Sequence, residues 1–516
     1  MPETTAVRAG VAPGGGELGR AARGGAVTFV GAGVSALAGF TFNVLLARLT
    51  GAHGAGVVIQ SIAVFTIALS VCRFGLDTTA VWMLPRLLRT DPARVSRAVS
   101  TICSLSLLLP LCLLMCWLGV WLTLIGPGSS EVLDAVTLAL VSLPAACLMT
   151  VALAATRAFG GVLAFNAIGN VLVPLLRPIA LIAVVSVGGG TLAATGAWSV
   201  AWLLGVVLAL VVLVRSVTRR PREPEAQTPP RGELVRGILR YSLPRTVMAA
   251  MEQTIIWVDV LLVGVILGSE QAGVYGAAAR FVAAGVVAIT ALRIVVAPRF
   301  SALLAEERVS EVRELYTATA RWVLLLGAPI YLLLAVFSPT VLSWLGPHFS
   351  DGVKPMVTLC LGSVVVLAGG NVQSLLLMSG RSGWGAANKA MVMVVNVVGN
   401  LILIPRVGIE GAAVTWAVSM SIDTALAAYQ VRRGLGVSPA FLAIGGTALA
   451  VSGCVAVPAL LVVLVAGQGA VQLVVGLAGA AVMLLAYCVI DRRRLRLDEL
   501  AHVRRRRPAR VAHPSI

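Results

Sequence analysis

The sequence predicts an all-α integral membrane protein of about fourteen transmembrane helices, built as two parallel six-helix lobes with two further helices after them. Three observations carry that prediction. The 516 residues are 58% hydrophobic and only 12% charged, with a mean hydropathy of +0.95, far from the composition of a soluble domain. The apolar residues fall in continuous runs of about 20, the length that crosses the hydrocarbon core as a helix; barrel strands would alternate instead. Finally, a pattern used near the N-terminus begins again past the middle of the chain.

Residues 1–23 are Gly-rich and polar and read as a cytoplasmic tail without a removable signal peptide. The N-lobe, 24–215, is predicted to hold spans near 25–49, 56–85, 98–125, 133–156, 163–187 and 191–214. Residues 216–240, rich in Pro, Arg and Glu, read as a cytoplasmic linker. The C-lobe, 241–433, follows with spans near 243–267, 273–297, 317–345, 354–379, 390–405 and 409–431. Two more spans, 439–466 and 470–490, fill 434–491, and 492–516 is a basic cytoplasmic tail suited to anionic lipid.

The net charge of +18 would suggest nucleic acid in a soluble protein. Here most of the 40 Lys and Arg sit in alternate loops and the tails, which is the positive-inside bias. That bias places both termini in the cytoplasm and leaves no nucleic-acid surface, while the composition reads as that of a multi-pass protein of a bacterial plasma (inner) membrane. The loops of the other side are short.

The halves resemble each other. Thr50-Gly51-Ala-His-Gly-Ala-Gly56-Val57 aligns with Leu267-Gly268-Ser-Glu-Gln-Ala-Gly273-Val274, and each copy runs through an apolar helix to Pro-Arg, at Pro85-Arg86 and Pro298-Arg299. Later, Asn166-Ala-Ile-Gly169-Asn170 is answered by Asn396-Val-Val-Gly399-Asn400. An even number of spans per half gives both copies the same orientation, with a substrate site expected between them near the midplane.

The eight cysteines lie in apolar runs without ligand spacing, so no metal site or disulfide framework is expected. All four histidines (His53, His348, His502, His513) lie in loops or tails, away from any acid of the bundle, which argues against an enzyme; no phosphate-binding loop occurs either. No cofactor is expected beyond a coupling Na+ or H+.

Within the spans stand Arg73, Arg177, Arg245, Arg280 and Arg293 against Asp77, Glu252, Asp259 and Asp423. A charge placed mid-helix costs roughly 2.5 to 3.5 kcal/mol, so each is expected to face a cavity or a partner. Arg73 and Asp77 are one turn apart and suit mutual neutralisation; Arg245 and Arg293 lie near span ends and suit snorkelling. Arg245, Glu252 and Asp259 follow at seven-residue spacing, on nearly one stripe of the seventh span. Arg177, Arg280, Glu252 and Asp259 lie deeper and are the expected cavity residues. An excess of guanidinium suits a phosphate-bearing lipid head group, because Arg binds phosphate oxygens in bidentate fashion. Glu252, Asp259, Asn396, Asn400 and Thr415 are the expected oxygen donors for a monovalent coupling ion, although the paired asparagines also suit helix–helix hydrogen bonding.

ARLTGAHGAGV leading into FGLDTTAV, then WVDVLLVGVILGSEQAGVYGAAARF, then NLILIPRVGIEGAAVTWA resemble the repeated signatures of the Wzx-type oligosaccharide flippases, of the multidrug/oligosaccharidyl-lipid/polysaccharide exporter superfamily, over roughly 24–433. The resemblance implies two lobes in a V, open alternately to each side, moving a polyprenyl-diphosphate-linked oligosaccharide from inner to outer leaflet. It implies a basic central cavity, matched here by Arg73, Arg177 and Arg280, and an acid on the seventh span, matched by Asp259. The lipid-linked glycan is then the expected partner of a monomer working beside a polymerase and glycosyltransferases. Fourteen spans also resemble the lipid II flippases of that superfamily, whose sodium site uses the seventh, eleventh and twelfth spans; Asn400 stands where an acid would bind the cation better. A cation-coupled multidrug exporter, with a less basic cavity, and a non-transporting scaffold of an envelope-synthesis complex are the alternatives.

Overall fold

A computed structural model describes residues 15–219, 231–438, 440–492 and 495. The described residues form helices and no strand. The N-lobe contains α1 (Gly15–Cys72), α2 (Leu76–Thr90), α3 (Val95–Val120), α4 (Glu131–Val141), α5 (Leu143–Ala158), α6 (Val162–Phe165), α7 (Val173–Ser186) and α8 (Thr191–Thr218). The C-lobe contains α9 (Arg231–Leu267), α10 (Ser269–Ala284), α11 (Val286–Ala305), α12 (Val309–Val336), α13 (Ser338–Ser343), α14 (Val353–Ala368), α15 (Val372–Met378), α16 (Ser382–Val407) and α17 (Ile409–Leu435). After it come α18 (Phe441–Ala466) and α19 (Ala470–Ile490), which pack on each other and on α12.

Among the described residues 12 helical stretches are long and apolar enough to cross a membrane. The first, Gly24–Thr90, has 67 residues and carries two expected spans. They part at Gly51, whose φ of 71° falls in the left-handed region that glycine enters without a Cβ clash. Its counterpart Gly268, at φ 93°, parts α9 from α10. The expected eighth span is divided at Gly285 between α10 and α11, and only Val296–Ala305 registers there as a shorter apolar helix.

The second motif glycine closes the lobes on each other. Gly56 lies so near Ser269 that a Cβ there would collide with its carbonyl, and Gly273 stands likewise against the Ala52 carbonyl. One contact therefore uses both copies of the repeat. At this end a single buried core runs through both lobes, from Phe42, Leu46 and Phe65 to Val260, Tyr275 and Tyr331. At the opposite end, which carries the basic loops, each lobe keeps its own core, around Leu76, Ile102 and Ile168 in one and Phe300, Tyr316 and Leu376 in the other. The two lobes thus share one core at one end, and at the other their cores are distinct, with the start of α9 reaching across to the N-lobe.

One boundary differs from the sequence reading. The linker assigned to 216–240 gives way to helix at Arg231, and its part 220–230 lies outside the described residues. Gly232 to Tyr241 has apolar residues at helical spacing, and Ile238 is buried in the N-lobe core with Leu234 packed against it. The start of the seventh span therefore leans on the other lobe. Residues 1–14, His502, His513 and nearly all of the basic tail also lie outside the described residues, as does the side chain of Arg293.

Candidate functional site

A cavity of about 600 Å³ lies in the N-lobe at the basic end, walled on one side by α9. Arg73, Arg157 and Arg245 line it, and Asp77 is the one carboxylate among its lining residues. Arg73 lies between α1 and α2, where Phe74 (φ 51°) and Gly75 (φ 60°) turn the chain; its Nη1 is 3.4 Å from Asp77 Oδ2. Asp77 neutralises one guanidinium, and Arg157 and Arg245 leave the site cationic.

The walls of the cavity are aromatic. Trp82 of α2 stacks on Tyr241 of α9, with ring centres 4.1 Å apart. Arg86 lies 4.4 Å from the Trp82 ring, and Arg245 lies 4.3 Å from that of Tyr241. The result is a ladder of two cations and two rings across the lobe boundary. Each such contact contributes on the order of 0.5 to 2 kcal/mol, more as water is excluded. Trp202, Phe165, Asn170, Thr78 and Thr150 complete a surface able to stack on flat apolar faces and to bond hydroxyl groups.

A second polar group lies within the C-lobe. Asp259 of α9 is buried, at 3% exposure. Asn400 of α16 donates to its Oδ1 at 2.7 Å, and the Tyr275 hydroxyl of α10 lies 3.4 Å from its Oδ2. Asn400 also donates to the backbone and side-chain oxygens of Asn396, one turn earlier. Thr415 of α17 packs against Gly399, next to Asn400. Asn400 Oδ1 and Thr415 Oγ1 are buried without a hydrogen-bond partner, and such atoms normally find one. An acid, two amide oxygens and a hydroxyl are hard donors of the kind a small monovalent cation takes.

The residues expected in one cavity are thus divided among several places. Arg73 lines the cavity, and Asp259, Asn396, Asn400 and Thr415 gather in the C-lobe. Arg177 lies behind the cavity wall, 4.8 Å from both the Trp198 and Trp202 ring centres, and its Nε has no partner. Arg280 sits 3.7 Å from the ring centre of Trp257, away from the cavity lining. Glu252 is exposed on α9 and joins neither group, unlike the expectation for it. The seven-residue stripe ends against different neighbours because α9 has 37 residues: Arg245 meets the N-lobe and Asp259 meets α16. Sequence reasoning passed over Arg157, one residue beyond the expected span 133–156, Arg245, assigned to snorkelling, and the partners Trp82 and Tyr241. Arg245 at a seven-residue spacing before two acids was the available signal; nothing local in the sequence pairs Trp82 with Tyr241.

The family model described as "Polysaccharide biosynthesis protein" matches residues 21–304, more than half of the chain. The chain belongs to that family. A relative from Haloferax volcanii, described as a probable low-salt glycan biosynthesis flippase, Agl15, is 25% identical over 232 residues, 44% of this chain and 47% of that protein. The chain thus spans about half the length of the relative it matches. In fold, the lipid II flippase MurJ in an inward closed conformation superposes with a TM-score of 0.66 at 12% identity, over 90% of this chain and 98% of that one. An inward-facing multidrug resistance transporter of the MATE family, in the MOP superfamily, gives 0.64 at 14% identity over 78% and 95%. The fold is therefore that of the exporter superfamily which the sequence motifs resemble.

Proposed function

We propose that this protein is a flippase for lipid-linked oligosaccharides, moving a polyprenyl-diphosphate-linked glycan from the inner to the outer leaflet of a bacterial plasma membrane by alternating access, and not an enzyme. The observation that carries the reading is the cavity: three arginines against one carboxylate, with aromatic walls, at the end where the two lobes keep distinct cores. The basic loops make that end cytoplasmic by the positive-inside rule. A diphosphate would pair with Arg73, Arg157 and Arg245, sugar rings would lie on Trp82 and Tyr241, and the polyprenyl chain would stay in the bilayer. A cationic drug would meet the wrong sign of charge there. The scaffold reading leaves these arginines without use.

In this reading the glycine contact closes the outer end while the cavity loads, and opening that contact releases the glycan outside. Asp259, with Asn396, Asn400 and Thr415, is the coupling site for Na+ or H+. The relative from Haloferax volcanii, named as a glycan biosynthesis flippase, supports the substrate class. Polymerase and glycosyltransferases of the same pathway are the expected neighbours in the membrane. The test is reconstitution with a fluorescent polyprenyl-diphosphate sugar and an impermeant quencher. Movement between leaflets that falls at least tenfold in Arg73→Ala/Arg157→Ala supports the reading. Equal movement with and without those arginines overturns it.

A further inference from the structure

Thr415, Ser419 and Asp423 stand four residues apart on α17, so they form one stripe about 12 Å long. All three are buried, at 3%, 0% and 4% exposure. Thr415 Oγ1, Ser419 Oγ and Asp423 Oδ1 have no hydrogen-bond partner in the protein. This is not the habit of hydroxyls on that helix, because Ser421 donates to the Ala417 carbonyl at 2.7 Å and Thr424 to the Met420 carbonyl at 2.9 Å. The stripe faces α16: Thr415 packs on Gly399, and Asp423 Oδ2 accepts from Lys389 Nζ at 2.7 Å. At its upper end it reaches Asn400, which holds Asp259 and has an unpartnered oxygen of its own. Its lower end lies toward the basic end of the bundle, where Lys389 is about 29% exposed.

The other lobe supplies the contrast. Trp198 of α8 aligns with Trp416 of α17, and the positions matching Thr415, Ser419 and Asp423 are Ala197, Ala201 and Gly205. These are buried too, and Gly205 is so close to Met149 that a side chain there would not fit. The same face of the same fold is therefore sealed by small apolar residues in the N-lobe and lined by unpartnered oxygens in the C-lobe. Leaving several polar atoms unmatched costs on the order of 1 to 3 kcal/mol each, and water is what satisfies such atoms in buried places.

We infer that the α16–α17 seam is a hydrated file by which a small monovalent cation, a proton or an alkali ion, passes between Asp259 and the cytoplasm. Thr415 and Ser419 supply oxygens along it, and the Lys389–Asp423 pair is its inner port. Lys389 balances the charge of the Asp423 carboxylate when the port is empty, and an arriving cation takes the place of the ammonium. The role of Asp259 as the coupling site rests on the function proposed above; the file itself does not.

Silver ion, a thiol-reactive monovalent cation of the right size, tests the file without any substrate. The full chain, with its eight cysteines replaced, carries Ser419→Cys, or Ala201→Cys as the matched position of the N-lobe. Each is treated with silver from the cytoplasmic side, and the remaining free thiol is counted by alkylation and mass spectrometry. Ser419→Cys is expected to react at least tenfold faster than Ala201→Cys, and to stay fast when Asp259→Asn is added. Equal rates overturn the file. In the chain with native cysteines, Ser419→Leu should abolish the response of transport to an imposed Na+ or pH gradient, whichever drives it, while Ser419→Thr keeps it. A Leu variant that binds substrate and answers the gradient as before also overturns the inference. If fast silver reaction accompanies transport that ignores both gradients, the file stands and coupling through Asp259 falls.

Discussion

The two lobes share one backbone plan and differ in where they place polarity. Phe42, Val58 and Ala63 hold in the N-lobe the places of Asp259, Tyr275 and Arg280 in the C-lobe, and the three N-lobe residues are buried and apolar. Each lobe also has a pair of asparagines one turn apart, but at different heights and with different partners. Asn170 donates to Asn166, and Asn166 donates to Thr28 and to the Val162 carbonyl, so the N-lobe pair closes on its own neighbours. In the C-lobe Asn400 reaches across to an acid. The N-lobe brings Arg73 and Arg157 to the cavity, where Arg245 of the C-lobe joins them, and the buried carboxylates among the described residues, Asp259 and Asp423, both belong to the C-lobe. A duplicated frame has thus kept its hinge glycines, and in the function proposed above it divides its tasks, with most of the anion contacts on the N-lobe and the cation contacts on the C-lobe.

The shared element should be the least tolerant. Gly56→Val and Gly273→Val each drive a side chain into a backbone carbonyl of the other lobe, and backbone cannot give way as a rotamer does. Both are expected to reduce surface-glycan complementation by about 100-fold, and by similar factors, because the contact is symmetric. A large inequality between the two would show that the lobes do not meet as equals. The divided tasks come next. Arg73→Ala with Arg157→Ala should weaken binding of the diphosphate lipid by about 10- to 100-fold, as expected for lost charged hydrogen bonds, and leave ion dependence intact. Asp259→Asn should do the reverse, keeping lipid binding and reducing ion dependence by about 10-fold, because the amide retains shape and loses charge. Titrating fluorescent substrate and ion separately in detergent reads both.

The frame was legible in the sequence because it rests on signals that are local or periodic. Long apolar runs give helices, alternating basic loops give sides, and the two GAxGAGV-like and AGV-ending motifs mark the joints at Gly51 and Gly268. Asp259 was legible too, since a carboxylate inside an apolar run needs a partner, and the asparagines one turn apart offered it. The cavity was less so. Arg177 and Arg280 read as substrate contacts, yet tryptophans hold them, and a residue's distance from an aromatic ring on another helix leaves no trace in spacing. Arg157 and Arg245 read as loop and snorkelling residues for the converse reason: a cavity at the end of a bundle turns its end-of-helix charges inward. The α17 stripe carried its i, i+4, i+8 spacing openly, but only the partners that its oxygens lack set it apart from ordinary helix hydroxyls.

The smallest effect is the sharpest test of the division. Ala201→Ser puts into the N-lobe the hydroxyl that Ser419 carries in the C-lobe. On a helix a new serine can bond back to a carbonyl of the preceding turn, as most hydroxyls of these spans do, for example Thr195 to Thr191 and Ser363 to Leu359. The cost is then below about 0.5 kcal/mol, a shift of roughly 1 °C or less in a thermal melt of the purified protein. Ser419→Ala is a change of the same size in the opposite direction. It removes one oxygen from a face with no carbonyl bond to replace it, so it should leave the melt nearly unchanged while slowing the ion-dependent step by a few-fold. If Ala201→Ser slowed that step as much as Ser419→Ala, ion movement would use both lobes, and the asymmetry at Asp259 would concern packing alone.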